Sequence, residues 1–173
     1  MKNFNVITEC YIDTNLVEYL LNDVVNHQGG CNEVMRTLNN KKDIFAIGVI
    51  DDDKRVNQNV NNFVTINQSE KLILMKHKER CQYLIRIKPA ADMFILNCAK
   101  EEYVDTNQFG IPSELKAFTE LSKSVSSGKD SRFKALFKEL KNNKDFVALK
   151  RILKYLCEKQ YKVNDMEVSN YLG

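Results

Sequence analysis

A run of seven almost entirely apolar residues, 44–50, leads directly into Asp51, Asp52 and Asp53. An apolar run without alternating polar positions is typical of a strand that is buried on both faces. In open parallel sheets, ligands bind just beyond the carboxyl ends of such strands. Three consecutive carboxylates repel one another unless a cation lies among them. The pattern therefore indicates a candidate cation site at the end of a buried strand.

Before this run, the apolar positions alternate between strand-like and helix-like spacing. A strand-like run at 6–9 ends in Glu9, a helical pattern follows, and a short apolar step at 24–25 leads to Gly29-Gly30. A second helical segment, 33–39, then precedes the apolar run. The order strand, helix, strand, helix, strand predicts right-handed crossovers and a parallel sheet.

Beyond Asp53 the pattern changes twice. Three short strand-like runs follow, at 63–66, 72–75 and 83–87. A helical segment then extends to about Glu101, and the last third carries stripes of Phe and Leu at helical spacing. We predict an α/β fold with an open, mainly parallel sheet flanked by helices over residues 1–108, and an α-helical C-terminal extension over residues 109–173.

The composition is that of an ordinary globular protein, with 173 residues, 43% of them hydrophobic and 28% charged. No apolar run is long enough to cross a bilayer, and the N-terminal residues lack a signal-peptide pattern. The five cysteines are scattered and form no Cys-x-x-Cys pair. This usage suggests neither a disulfide framework nor a zinc site, and it favours a reducing, cytoplasmic setting without a membrane partner.

Charge is distributed unevenly along the chain. Residues 1–110 contain 13 basic and 15 acidic side chains, a net charge of −2, whereas residues 111–173 contain 13 and 8, a net charge of +5. The basic part is suited to a polyanion such as nucleic acid. From charge alone, a set of solvated helical faces is the simpler interpretation.

Acidic residues follow two of the predicted strands. If the strands that end at Glu9 and at Asp51 are neighbours, their carboxylates meet at one edge, because paired strands lie about 5 Å apart. Asp51 and Asp53 can both turn toward one ion where the chain leaves the regular pleat, and Asp13 lies near the same edge. We expect Asp52 to point away. A ligand set of oxygen atoms suits Mg²⁺ or Mn²⁺ rather than zinc.

The order of these residues resembles that of Toprim domains. Glu9-Cys-Tyr-Ile-Asp13 is similar to the Glu-Gly-x-x-Asp of that family, with Cys10 where glycine is usual. Gly29-Gly30 is similar to its second glycine-containing turn, and Asp51-x-Asp53 to its Asp-x-Asp strand. The resemblance covers residues 4–55. It is greatest to small stand-alone Toprim-like proteins and to nuclease domains of the OLD type, because the Gly-x-x-Ile-Arg run of the ribosomal-RNA maturases is missing.

This resemblance implies a Mg²⁺-dependent phosphodiester hydrolase, a nuclease acting on DNA or RNA. The residues it implies are Glu9, Asp51 and Asp53 as catalytic acids and metal ligands, Asp13 and Asp92 as further ligands, Lys54 as a catalytic cation, and Arg55 and Lys88 as nucleic-acid contacts. The family usually has Glu where Asp92 stands. OLD-type domains work beside an ATPase, and this chain has no phosphate-binding loop of its own. The resemblance therefore implies a partner ATPase on a separate chain and suggests a part in phage defence, and a homo-oligomer is compatible with it.

Two other functions are compatible with the sequence. Tyr11-Ile-Asp13-Thr-Asn15, before a Leu-rich helix, resembles the start of PIN-domain ribonucleases. Those enzymes need a late acid, and the candidates Asp145 and Asp165 lie in helical patterns. The third function is a catalytically degenerate Toprim domain that serves as an interaction module, which Cys10 and the absence of Glu at position 92 favour. Each acid can also be explained as a helix or turn cap.

Overall fold

The computed structural model describes residues 2–52 and 58–172, with side chains from Asn5 onward. The predicted site residues Asp53, Lys54 and Arg55 lie outside the described residues. Six strands form one sheet: β1 (Lys2–Thr8), β2 (Val24–His27), β3 (Ala46–Asp51), β4 (Phe63–Gln68), β5 (Leu72–His77) and β6 (Gln82–Ile87). Their order in the sheet is β2-β1-β3-β6-β5-β4. The first four in this order are parallel, and β5 and β4 are added antiparallel at one side.

The described residues contain seven α-helices: α1 (Tyr11–Leu21), α2 (Cys31–Asn40), α3 (Ala91–Glu101), α4 (Leu115–Ser122), α5 (Ser131–Glu139), α6 (Lys144–Lys159) and α7 (Asp165–Ser169). The predicted α/β fold with an open, mainly parallel sheet flanked by helices is confirmed, and each predicted strand-like run overlaps a strand. Within the described part of the chain, no helix combines the length and the apolar character needed to cross a bilayer.

Strand β3 is buried on both faces, as its uninterrupted apolar run predicts. Ile47 and Val49 belong to the larger core cluster, which contains the buried side chains of α1 and α3. Ile50 belongs to the second cluster, which contains those of α2. Because side chains alternate along a strand, Asp51 falls on the α1–α3 side of the sheet and Asp52 on the α2 side.

Gly48 allows α2 to pack closely on β3. A Cβ at this position would lie 2.9 Å from Leu38 Cδ1 and from Leu84 Cδ1, and 3.2 Å from Val34 Cγ1. We expect Gly48→Val to lower the free energy of unfolding by about 1–3 kcal/mol, because added methyl groups overpack this layer. Urea denaturation measures the effect. Gly29→Ala is the control, since a Cβ there meets no atom within 4 Å. A Gly48→Val protein as stable as the wild type would contradict the close packing.

The C-terminal helices pack on the α1–α3 side of the sheet. Tyr19 of α1 contacts Phe137 of α5, and Phe94 of α3 stacks on Phe146 of α6, with ring centroids 5.6 Å apart in both pairs. Buried residues of the extension therefore belong to the same core cluster as those of the sheet. The short 3-10 helix Val125–Lys129 contacts α1, so the extension also reaches the edge of the sheet where α1 begins.

Candidate metal site at the carboxyl edge of the sheet

Glu9 and Asp51 lie at the carboxyl ends of two neighbouring parallel strands. β1 and β3 are parallel, with Thr8 opposite Val49, so both strands end at the same edge of the sheet. Glu9 Oε2 accepts a hydrogen bond from the backbone N–H of Asp51 at 2.9 Å. The structure thus brings together the two carboxylates that the sequence places at separate strand ends.

Helix α3 begins beside the same edge. β6 is the other parallel neighbour of β3, with Ile87 opposite Asp51, and α3 follows it at Ala91. The backbone N–H of Ala91 donates to Asp51 Oδ1 at 2.9 Å. The partial positive charge at a helix N-terminus favours a carboxylate at this position. The fold therefore orients Asp51 and stabilises its negative charge.

Asp13 is the third acid at this edge, and its side chain is fully buried. It lies in the first turn of α1, where Oδ2 accepts a hydrogen bond from the backbone N–H of Cys10 at 3.1 Å. Its other oxygen, Oδ1, is buried and has no hydrogen-bond partner among the described residues. Burial raises the pKa of Asp13, and the negative charges of Asp51 and Glu9 raise it further.

The raised pKa of Asp13 predicts a specific pH dependence in EDTA. The ordinary pKa of Asp is about 3.9. Above that pH the Asp13 carboxyl group ionises in the unfolded chain, whereas in the folded protein it keeps its proton to a higher pH. The contribution of Asp13 to stability is therefore present at low pH and is lost as the pH rises. We expect the unfolding free energy of the wild type to fall relative to that of Asp13→Asn as the pH rises above about 4, by about 1.4 kcal/mol for each pH unit over which only the folded protein keeps the proton. Parallel denaturation curves at each pH measure this difference, and a constant difference would contradict the raised pKa.

The other predicted site residues that the structure describes are placed differently. Asp52 forms an ion pair with Arg86 on the α2 side of the sheet, so its side chain points away from the acidic edge. Asp92 lies in the first turn of α3, but its Oδ2 accepts a hydrogen bond from the Thr119 hydroxyl at 2.5 Å. Its described bonds thus tie α3 to α4 and do not include the acidic edge. Lys88 directly follows β6, at the edge where Asp51 lies, and is partly buried.

A cleft of about 300 Å³ opens at the acidic edge. Its lining residues are Glu9, Cys10, Tyr11, His27, Gly29, Gly30 and Lys123. The sequence pattern alone does not place Tyr11, His27 or Lys123 in the site. The position of His27 beside the glycine pair is the one local signal for it. Lys123 has no local signal, because the packing of the C-terminal extension brings it to the cleft.

His27 is held by hydrogen bonds at the start of α1. The Thr14 hydroxyl donates to the Cys10 carbonyl oxygen at 2.8 Å, so it has no second proton to donate. It therefore accepts from the Thr8 hydroxyl at 2.7 Å and from His27 Nδ1 at 3.0 Å. Burial lowers the pKa of His27, which favours the neutral ring with an acceptor at Nε2. Tyr11 stacks on this ring with centroids 4.3 Å apart.

A second acidic group lies where the extension meets the sheet. Among residues 2–52 and 58–172, the metal-ligating atoms of Cys98, Glu101 and Asp145 lie within 4.8 Å of one another. The ammonium group of Lys71 lies among them, 2.5 Å from Glu101 Oε1, 2.7 Å from Asp145 Oδ2 and 4.0 Å from Cys98 Sγ. Because Lys71 already neutralises these acids, we interpret this group as an ion-pair cluster that fastens α6 to the sheet.

Among the described residues, only the group of Cys98, Glu101 and Asp145 has its ligating atoms within 4.8 Å of one another. The acids at the carboxyl edge are the better candidates by donor chemistry alone. Glu9, Asp13 and Asp51 offer carboxylate oxygens, the ligands that Mg²⁺ and Mn²⁺ prefer. The buried Asp13 Oδ1, which has no described hydrogen-bond partner, is the kind of atom that a cation nearby would compensate.

Comparisons with protein-family models, with curated proteins and with solved structures found no match for this chain. The function is therefore inferred from the chemistry of the described residues.

Proposed function

We propose that this protein is a Mg²⁺-dependent phosphodiester hydrolase that cleaves nucleic acid. The observation that supports this function best is the gathering of Glu9, Asp13 and Asp51 at the carboxyl edge, with Asp13 fully buried. Burial of a carboxylate beside two others is costly unless a cation compensates the charge. Such an edge of an open α/β sheet is also where ligands bind.

In this proposal Glu9 and Asp51 are ligands of the ion. Asp53 is the third ligand predicted from the sequence, and the buried Asp13 lies beside the ligands in the first turn of α1. When bound, Mg²⁺ stabilises charge on the phosphoryl oxygens and lowers the pKa of a coordinated water. The N–H of Ala91 orients Asp51, and the N–H of Asp51 orients Glu9.

The cleft supplies the remaining groups. Lys123 lies in its wall and Lys88 at the same edge of the sheet, and both can bind a phosphate of the substrate. Neutral His27 carries an acceptor at Nε2 and can take up a proton at the cleft. Lys54 and Arg55 stay in the proposal as the phosphate contacts predicted from the sequence. A reducing, cytoplasmic location is part of the same proposal.

An activity assay tests the function. Purified protein is incubated with single-stranded DNA, duplex DNA and RNA in the presence of Mg²⁺, Mn²⁺ or EDTA, beside Glu9→Gln. We expect cleavage that requires a divalent cation and is lost in Glu9→Gln. Cleavage at the wild-type rate by Glu9→Gln would contradict the mechanism.

The same assay separates the alternatives. The interaction module, alone or beside a partner ATPase, is favoured by the bond between Asp92 and Thr119, which ties this acid to α4. It predicts no cleavage and no metal-dependent shift in melting temperature.

A PIN-like ribonuclease predicts loss of activity in Asp13→Asn but not in Asp51→Asn. Its late acids, Asp145 and Asp165, have lysine partners in the described structure.

A further inference from the structure

Two clefts flank the stacked rings of Tyr11 and His27, and both rings line both clefts. The cleft of about 300 Å³ contains Glu9 and Lys123, and a second cleft of about 390 Å³ on the other side contains Lys129. Both volumes fall at the lower end of the range for ligand sites, about 300–1,000 Å³. The two lysines are exposed and belong to one segment, residues 122–130, which we call the tail loop.

The tail loop is fixed in place by α1. Asn15 is fully buried, and its Nδ2 donates to the backbone carbonyls of Ser127 at 2.6 Å and Asp130 at 3.2 Å. Gly128 lies against Tyr11, where an added Cβ would be 3.3 Å from Tyr11 Cδ1. These contacts set the position of the loop lysines relative to the acidic edge.

We propose that the tail loop and the Tyr11–His27 pair bind a single-stranded nucleic acid and guide it to the acidic edge. This inference rests on the proposed hydrolase function and names its substrate class. Proteins that bind single strands combine basic grooves for the backbone with aromatic rings on which bases stack. Lys123 and Lys129 contact backbone phosphates on the two sides of the ring pair. The volume of each cleft suits one nucleotide. Asn15 is a positioning residue that acts through the loop.

Binding in EDTA tests this inference without cleavage. The probe is a fluorescein-labelled oligomer of about 12 nucleotides, deoxythymidylate or uridylate, compared with a hairpin duplex by fluorescence anisotropy. We expect the single strand to bind more tightly than the hairpin. Lys123→Ala and Lys129→Ala should each weaken binding about five- to tenfold. Each should also reduce the slope of log K against log salt concentration by about 0.7. Lys150→Ala, an exposed lysine of α6 outside both clefts, is the matched control and should change neither.

Asn15→Leu tests the positioning role, because it keeps a similar side-chain size and removes both donors. We expect weaker binding and a salt slope reduced as in the lysine variants, at a temperature where the variant is folded. A lowered melting temperature with an unchanged salt slope would show that Asn15 serves stability alone.

The outcomes separate the two proposals. Equal binding of single strand and hairpin, or equal effects of Lys123→Ala and Lys150→Ala, would overturn the single-strand site and leave the hydrolase untouched. Lysine-dependent binding of single strands without Mg²⁺-dependent cleavage would support the site and overturn the hydrolase.

Discussion

Asp51→Asn is expected to reduce Mg²⁺-dependent cleavage on the order of 10²- to 10³-fold, because a bound metal contributes several kcal/mol to transition-state stabilisation. The substitution is conservative in shape. An Asn side chain still presents an oxygen to the N–H of Ala91, which donates to Asp51 Oδ1 at 2.9 Å in the wild type. The fold at the edge is therefore retained, whereas the anionic ligand is lost. Initial cleavage rates at saturating Mg²⁺ measure the effect.

Asp52→Asn is the matched control for this prediction. Asp52 is the adjacent aspartate, yet it pairs with Arg86 on the opposite side of the sheet. We expect its cleavage rate to stay within a few-fold of the wild type. Its melting temperature should fall, because the largely buried guanidinium of Arg86 loses its partner. A rate that falls in Asp52→Asn and not in Asp51→Asn would reverse the assignment of the two faces.

Lys71→Met is expected to destabilise the protein by about 3–5 kcal/mol, the cost of breaking a buried ion pair by removing one partner. Asp145, only 6% exposed, would be left without its ammonium partner 2.7 Å away. Glu101 is more exposed and contributes less. Chemical denaturation at neutral pH measures the loss.

Two further variants test the cause of that loss. Lys76→Met breaks the more exposed pair with Asp165 and should cost no more than about 1 kcal/mol. The double variant Lys71→Met with Asp145→Leu should be more stable than Lys71→Met alone, because no buried charge remains unpaired. A double variant that is less stable than the single one would contradict the ion-pair interpretation.

The pKa shifts of Lys71 and Glu101 predict the pH range over which this ion-pair cluster stabilises the protein. Burial lowers the pKa of Lys71, but the hydrogen bonds that its ammonium group donates to Asp145 and Glu101 outweigh this effect and raise the pKa above its ordinary value. Its contribution to stability is therefore complete below about pH 10.4 and is lost as pH rises beyond that. The Lys71 hydrogen bond lowers the pKa of Glu101, so the contribution of Glu101 is lost in acid, below about pH 4.3.

The order of strands and helices along the chain was predictable because it follows from the hydrophobic periodicity. The apolar run before Asp51 can be buried only in the middle of a sheet, and β3 lies between β1 and β6. The meeting of Glu9 and Asp51 was expected only on the condition that their strands are neighbours, and the structure pairs β1 with β3 in parallel.

Other parts of the candidate site depend on tertiary packing and have no local signal. Lys123 reaches the cleft because Asn15 and Tyr11 hold the tail loop, contacts between residues that are distant in sequence. Asp92 follows an apolar strand and a proline, but its carboxylate accepts a hydrogen bond from the hydroxyl of Thr119 on α4. The tautomer of His27 depends on two threonine hydroxyls from separate elements.

The most direct test of the central claim is a titration of the protein with Mn²⁺, followed by the electron paramagnetic resonance signal of the free ion. The proposed site predicts saturable binding by the wild type that Mg²⁺ displaces, that is lost in Asp51→Asn and that is kept in Asp52→Asn. Wild-type protein that leaves all of the Mn²⁺ free, or Asp51→Asn protein that binds it as the wild type does, would contradict a metal site at the carboxyl edge.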